Sequence, residues 1–224
     1  MTVWTRRTWT GMEHIPATGG VIIVANHISH ADPLVCAHYI YDAGRWPQFL
    51  GKASVFKVPV IGRLLHKVRQ VPVERGSLEA AKSLGALEDA VKEGGAVIIY
   101  PEGTTTREPD LWPMRGKTGA ARLALATGAP VIPVVMSGPE QIFDPRTKKL
   151  RLRPRIPVTV AAGPPIDLSR WDDAAPNKAI LDDMTEEIML RLRDMLAEIR
   201  GQTPPPLWTR TESGRGSRSG GAGS

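Results

Sequence analysis

Five consecutive apolar residues, Val21–Ala25 (VIIVA), constrain this chain more than any other feature. The run is short and rich in β-branched side chains. Gly19-Gly20 precedes it and the polar pair Asn26-His27 follows it. Such a run reads as a buried strand. Seven residues past its end, Asp32-Pro33 reads as a helix start, with Asp32 as the cap and Pro33 at the first helical position. Leu34–Tyr41 continues that helix to a stop near Asp42-Ala43-Gly44.

The same alternation repeats along the chain. Gln48–Lys52 and Val71–Val73 have strand character. Ser77–Lys92 carries Leu78, Ala81, Leu84, Leu87 and Val91 at helical spacing and ends at Glu93-Gly94-Gly95. Ala96–Tyr100 is a second buried strand, Lys117–Thr127 a helix and Val131–Met136 a strand. Pro133 inside that last strand suggests an edge or irregular position. Val158–Ala161 reads as the final strand and Pro176–Arg200 as an amphipathic helix. The stripe of this helix is Ile180, Met184, Ile188, Leu192, Met195 and Ile199. Strands alternating with helices predict an α/β fold, a single domain with a largely parallel central sheet flanked by helices. Residues 1–201 form that domain. Gln202–Ser224, rich in Pro, Ser, Gly and Arg, reads as a disordered tail.

The strand ends carry the chemistry. His27 and Asp32 are five residues apart. On one continuous helix they would lie roughly 140° apart, so they meet only if Asn26–Ala31 is a turn. A carboxylate holding one ring nitrogen makes the other a base. No serine or cysteine nucleophile stands out nearby, so the attacker would belong to a substrate, such as a hydroxyl. Arg75 follows the strand Val71–Val73 and suits a phosphate. Glu102 and Gly103, with Thr104 to Thr106, follow the strand Ala96–Tyr100. Glu102 can bind a substrate hydroxyl or organise its loop, and Gly103 allows close backbone approach. Each signal also has a plain structural reading: a packed histidine, an ordinary polar loop.

Charge narrows the partners. Across 224 residues Lys and Arg outnumber Asp and Glu by 29 to 23, a net +6. That excess favours phosphorylated small molecules, anionic headgroups or nucleic acid. With 5% aromatics and no nucleic-acid module, nucleic acid is discounted. Cys36 is the one cysteine, so no internal disulfide forms, as suits a reducing compartment. No apolar run reaches membrane-spanning length, and no secretory leader is visible. Three stretches suit a membrane surface: Trp4, Arg6, Arg7 and Trp9; Lys57–Arg69; and six cations without an acid from Arg146 to Arg155. Tryptophans capping the core, a basic helix face and a solvated basic hairpin are the alternatives.

Four blocks in order resemble the lysophospholipid acyltransferase family, in particular its bacterial 1-acylglycerol-3-phosphate O-acyltransferases. Asn26-His27 with Asp32 is similar to the NHxxxxD block. Lys52 to Pro59 and Gly62 to Val73-Glu74-Arg75 are similar to the second block. Tyr100-Pro101-Glu102-Gly103-Thr104 is similar to FPEGT, with Tyr for Phe. Val131-Ile132-Pro133-Val134 is similar to the fourth, and Arg115-Gly116-Lys117 to the step after the third. The resemblance implies that His27, held by Asp32, takes the proton of a lysophosphatidic acid hydroxyl, which attacks an acyl thioester. Either acyl-CoA or acyl carrier protein is the implied co-substrate, with no other cofactor and no metal. It implies that Arg75, Glu102, Gly103 and Thr104 grip the glycerol-phosphate, helped by Lys52 and Lys117. Backbone amides near the fourth block are candidate oxyanion donors. A peripheral place on the cytoplasmic side of the cell membrane is implied too. Many relatives carry N-terminal hydrophobic helices, and this chain begins almost at its first strand. Rival readings are a glycerol-3-phosphate or other lysolipid acyltransferase, a metallohydrolase using His27, His30 and Asp32, and a non-catalytic lipid-binding protein.

Overall fold

The computed structural model describes residues 5–52, 71–73, 77–151, 154–172 and 174–209. Its strands are β1 (Thr5–Thr10), β2 (Val21–Ala25), β3 (Pro47–Lys52), β4 (Val71–Val73), β5 (Ala96–Ile99), β6 (Val131–Ser137) and β7 (Ile156–Ala162). They form one sheet in the order β1-β7-β6-β2-β5-β3-β4. Every neighbouring pair is parallel except β6 with β7. The helices are α1 (Asp32–Asp42), α2 (Ser77–Lys92), α3 (Gly119–Thr127), the single turn α4 (Pro139–Ile142) and α5 (Lys178–Arg200). The α/β expectation holds, with a largely parallel sheet between two helical layers.

β2 lies between β5 and β6, and all five of its residues are buried. Ile22 and Val24 face one core with α2, α3 and α5. Val21, Ile23 and Ala25 face the other, against Val35, Cys36, Tyr39 and Ile40 of α1. A strand covered on both faces needs an unbroken apolar run, which is why VIIVA was legible. Each fully buried Leu or Ile contributes about 1.5–3 kcal/mol. The stripe of α5 packs as expected, with Met184, Ile188, Leu192 and Met195 buried and Ile180 and Ile199 at its margin. Asn177 caps this helix, its side chain accepting from the Ile180 amide at 3.0 Å.

Several expectations need correction. β1 precedes the run expected to be the first strand and pairs in parallel with β7. Its sequence, TRRTWT, carries no apolar period. The open edge of β7 offers backbone donors and acceptors that any extended segment satisfies, so no hydrophobic signature is required. Trp9 packs edge-on against His38 and Tyr39, with ring centroids 4.9 and 5.5 Å away. β6, with its Pro133, is interior and not an edge. The Pro133 carbonyl accepts from Gly163 on the β7 side, just before the paired run Val134–Ser137. The missing N–H therefore falls at the mouth of that ladder.

Asp32 is the first residue of α1 rather than its cap; Ala31 holds the cap position. In the basic stretch, Arg146 donates to the carbonyls of Glu108 and Pro109. The chain also stays ordered past Gly201, since Gln202–Thr209 folds back and Trp208 bridges Met114. Backbone pairing, which polar and Pro-rich composition does not reveal, holds it there. Residues 210–224, Lys57–Arg69 and Arg75 lie outside the described residues. Among the described residues no helix is long and apolar enough to cross a membrane.

Candidate active site

At the end of β2 the chain leaves the sheet through Asn26. Its side chain donates to the Met136 carbonyl at 3.0 Å and accepts from the Met136 amide at 2.8 Å. These two bonds continue the ladder with β6 by side chain and free the backbone to turn at His27. The turn Asn26–Ala31 that the spacing demanded is present, and Asp32 holds it. Asp32 Oδ2 accepts from the amides of Ile28 at 2.6 Å and Ser29 at 2.7 Å. The same oxygen meets His27 Nδ1 at 2.9 Å. Ser29 Oγ ties the turn to Phe143, donating to its carbonyl at 2.6 Å.

The Asp32 carboxylate, an acceptor, places the His27 proton on Nδ1 and leaves the lone pair of Nε2 for the cleft. The His27 ring stacks on Tyr100 at 4.4 Å and 25°. Its amide donates to Glu102 Oε1 at 3.0 Å, and its carbonyl accepts from the Thr106 amide at 2.7 Å. The loop after β5 therefore grips the residue at the end of β2 from both sides of its backbone.

Electrostatically the site is buried at its back. Asp32 has no exposed surface, and burial pushes its carboxyl above the usual value. The His27 ring and the two amides pull the other way. Glu102 is 2% exposed. Burial pushes its carboxyl up to about 8, against the His27 and Met114 amides and the Thr106 hydroxyl, while Asp32 adds to the rise. Its second oxygen accepts from the Met114 amide at 3.3 Å. Both carboxylate oxygens thus organise loops. Cys36 lies behind, its thiol pushed up to about 12 chiefly by burial, which disqualifies it as a nucleophile.

In front lies a cleft of about 760 Å³. His27 at the end of β2, Glu102, Gly103 and Thr104 after β5, and Lys117 shortly before α3 all line it. Gly103 has φ +69°, and a Cβ there would stand 2.8 Å from Lys117 Nζ, so the ammonium lies directly over this glycine. The Lys117 amide donates to the Pro101 carbonyl at 2.8 Å, fixing the backbone beneath that ammonium. Lys52 ends β3, and nothing is described of its side chain. The cleft is also lined by Arg107, Met114, Trp208 and Thr209, which sequence reasoning missed, and by His30, Thr105 and Arg115, which it named only in other roles. Arg107 and Arg115 had a signal, since each flanks a motif residue as a cation; Trp208 had none. His30 packs at 5.3 Å from the Phe143 ring. Among the described residues no three His, Cys, Asp or Glu side chains converge as metal ligands. A carboxylate-held imidazole facing a cleft with three cations can deprotonate a hydroxyl on an anionic molecule.

Residues 6–137 match the family model described as Acyltransferase. A protein of Borreliella burgdorferi named 1-acyl-sn-glycerol-3-phosphate acyltransferase is 29% identical over 184 residues, 80% of this chain and 70% of the relative. A chloroplastic protein of Brassica napus with the same enzyme name is 30% identical over 137 residues, 59% of this chain and 38% of the relative. One of Limnanthes douglasii is 28% identical over 147 residues, 64% of this chain and 50% of the relative. The chain therefore spans half or less of these two plant relatives.

Proposed function

Because the chain belongs to the acyltransferase family, we propose that it moves a fatty acyl group from an acyl thioester to the free hydroxyl of 1-acylglycerol-3-phosphate, giving phosphatidic acid. The observation that carries this reading is the 2.9 Å contact of His27 Nδ1 with Asp32, at the back of a cleft lined by Arg107, Arg115 and Lys117. The enzyme name shared by the relatives supports the choice of acceptor.

The acceptor phosphate binds the cations, and its hydroxyl approaches His27 Nε2. As Nε2 takes the proton, the oxygen attacks the thioester carbonyl. The tetrahedral intermediate collapses by breaking the carbon–sulfur bond. The departing thiolate then recovers the proton from Nε2. Asp32 keeps the ring oriented and stabilises the imidazolium between these events. Lys117, with Gly103 and Thr104 beneath it, holds the glycerol-phosphate, and Arg75 and Lys52 join them. Glu102 sets the positions of His27 and Met114. The thioester comes from coenzyme A or acyl carrier protein, and no further cofactor takes part. The protein works as a peripheral protein on the cytoplasmic face of the membrane, where its acceptor resides.

An assay of pure protein with lysophosphatidate, glycerol-3-phosphate and other lysolipids, each offered with acyl-CoA, tests the reading. Lysophosphatidate is expected to give the highest kcat/KM. His27→Ala is expected to lose on the order of 10²–10⁴-fold in kcat. A preference for glycerol-3-phosphate, or near-normal turnover by the alanine variant, refutes it.

A further inference from the structure

Helix α5 stops at Gly201, whose φ of 62° and N–H to the Ala197 and Glu198 carbonyls form a left-handed cap. Just before it, Arg200 donates to the carbonyls of Asp110 at 3.0 Å and Leu111 at 3.2 Å. Its guanidinium lies 4.9 Å from the Trp112 ring centre. These contacts aim the chain back across the loop that carries Met114. Leu207 packs at the edge of the core. The Arg115 amide donates to the Trp208 carbonyl at 3.1 Å, and Met114 and Trp208 form a parallel bridge. The backbone thereby delivers Trp208 to the rim of the cleft.

Among the described residues lining that cleft, Met114 and Trp208 are the apolar side chains. Met114 is 8% exposed and has little surface to offer; Trp208 is half-buried. Arg107, Arg115 and Lys117 supply the anion side. A lysolipid acceptor carries one anionic head and one acyl chain, and the chain must leave over an apolar surface. We infer that Trp208 is a specificity-determining residue, its indole forming the wall against which the acceptor's acyl chain lies. This rests on the lysophosphatidate reading and adds to it a segment beyond the matched residues 6–137.

The test is steady-state kinetics of the full chain at saturating acyl-CoA, with short- and long-chain lysophosphatidates. Trp208→Ala is expected to raise KM for the long-chain acceptor about tenfold, less for the short one, with kcat preserved. Trp208→Phe is expected to restore KM to within about threefold, since an aromatic face remains. Trp208→Gln, which keeps more side-chain volume than alanine and leaves the backbone bridge in place but has no apolar face, should repeat the loss if the alanine variant melts early. Trp46→Ala, at the opposite end of the sheet, should change neither constant. Unaltered acceptor KM, or an equal rise for both chain lengths, overturns the wall while leaving the function standing. A wild-type chain inactive on lysophosphatidate removes the function and the wall together. Binding followed by tryptophan fluorescence gives a readout separate from turnover.

Discussion

Asp32→Asn removes a buried charge without changing side-chain shape, and the turn geometry sets its consequence. Asp32 Oδ2 accepts from Ile28 N at 2.6 Å, Ser29 N at 2.7 Å and His27 Nδ1 at 2.9 Å. An amide NH₂ in that place would oppose two backbone donors, each then unpaired in a buried site at about 1–3 kcal/mol. The Asn oxygen therefore takes the Oδ2 position, and the NH₂ takes that of Oδ1, which has no partner among the described residues. His27 still donates from Nδ1, so the tautomer survives. What is lost is the charge. A hydrogen bond to a charged group contributes about 1.5–3 kcal/mol and a neutral one about 0.5–1.5. The difference, about 1–2 kcal/mol, falls on the step that makes the imidazolium and lowers kcat about 5- to 30-fold. Asp32→Ala also frees the tautomer and unpins the turn, and should approach the full loss of about 10²–10⁴. Loss of both charge and tautomer would abolish transfer; the two backbone amides hold the tautomer and so predict a graded loss. Release of coenzyme A thiol at saturating substrates measures it, with melting curves to confirm the fold. A loss near 10⁴ for the Asn variant, with melting unchanged, would mean the tautomer had flipped and the pinning argument fails. An unchanged rate would show that the charge plays no part.

Other perturbations give separate checks. Glu102, pushed up to about 8 by burial, keeps its proton in the folded state while the unfolded carboxyl ionises near about 4.3. Below that lower value both states hold the proton; between the two only the folded state does, so stability declines as pH rises and levels off above the upper one. Glu102→Gln is expected to remove that share of the decline, read as the wild-type-minus-variant difference in urea midpoints between about pH 5 and pH 8; a difference that stays flat contradicts it. Gly103→Ala forces a side chain onto φ +69° and against Lys117 Nζ, 2.8 Å away. It should raise acceptor KM several-fold at similar kcat, and an unmoved KM would take Lys117 off the phosphate. Arg45, 7% exposed, donates to the carbonyls of Pro16, Gly19 and Gly94. Arg45→Met strands those acceptors, at about 2–4 kcal/mol and roughly 5–15 °C in Tm. A shift under about one degree would show that water satisfies them instead.

Much of the frame was legible because its causes are local. β2 and β5 are apolar on both faces, so VIIVA and AVII stand out without knowledge of neighbours. Helix α2 begins and ends at the residues its period indicated, and its described stripe residues Leu84, Leu87 and Val91 meet the core. His27 and Asp32 were legible for the same reason: five residues and one turn bring them together. Both oxygens of Glu102 engaged by backbone amides could not be read, since Met114 is twelve residues away and His27 seventy-five.

The sequence by itself determined which segments are covered on two faces, which turn joins a base to its carboxylate, and which side of the ledger the net charge falls on. Only the tertiary structure decided that TRRTWT becomes a strand on the edge of β7, that a proline can sit inside the sheet, and that a Pro-rich segment after α5 brings Trp208 to the cleft. The physical reason is one of range. A periodic pattern records burial against a surface, but pairing through backbone N–H and C=O is open to nearly any residue, so its partners appear only once the chain has closed on itself.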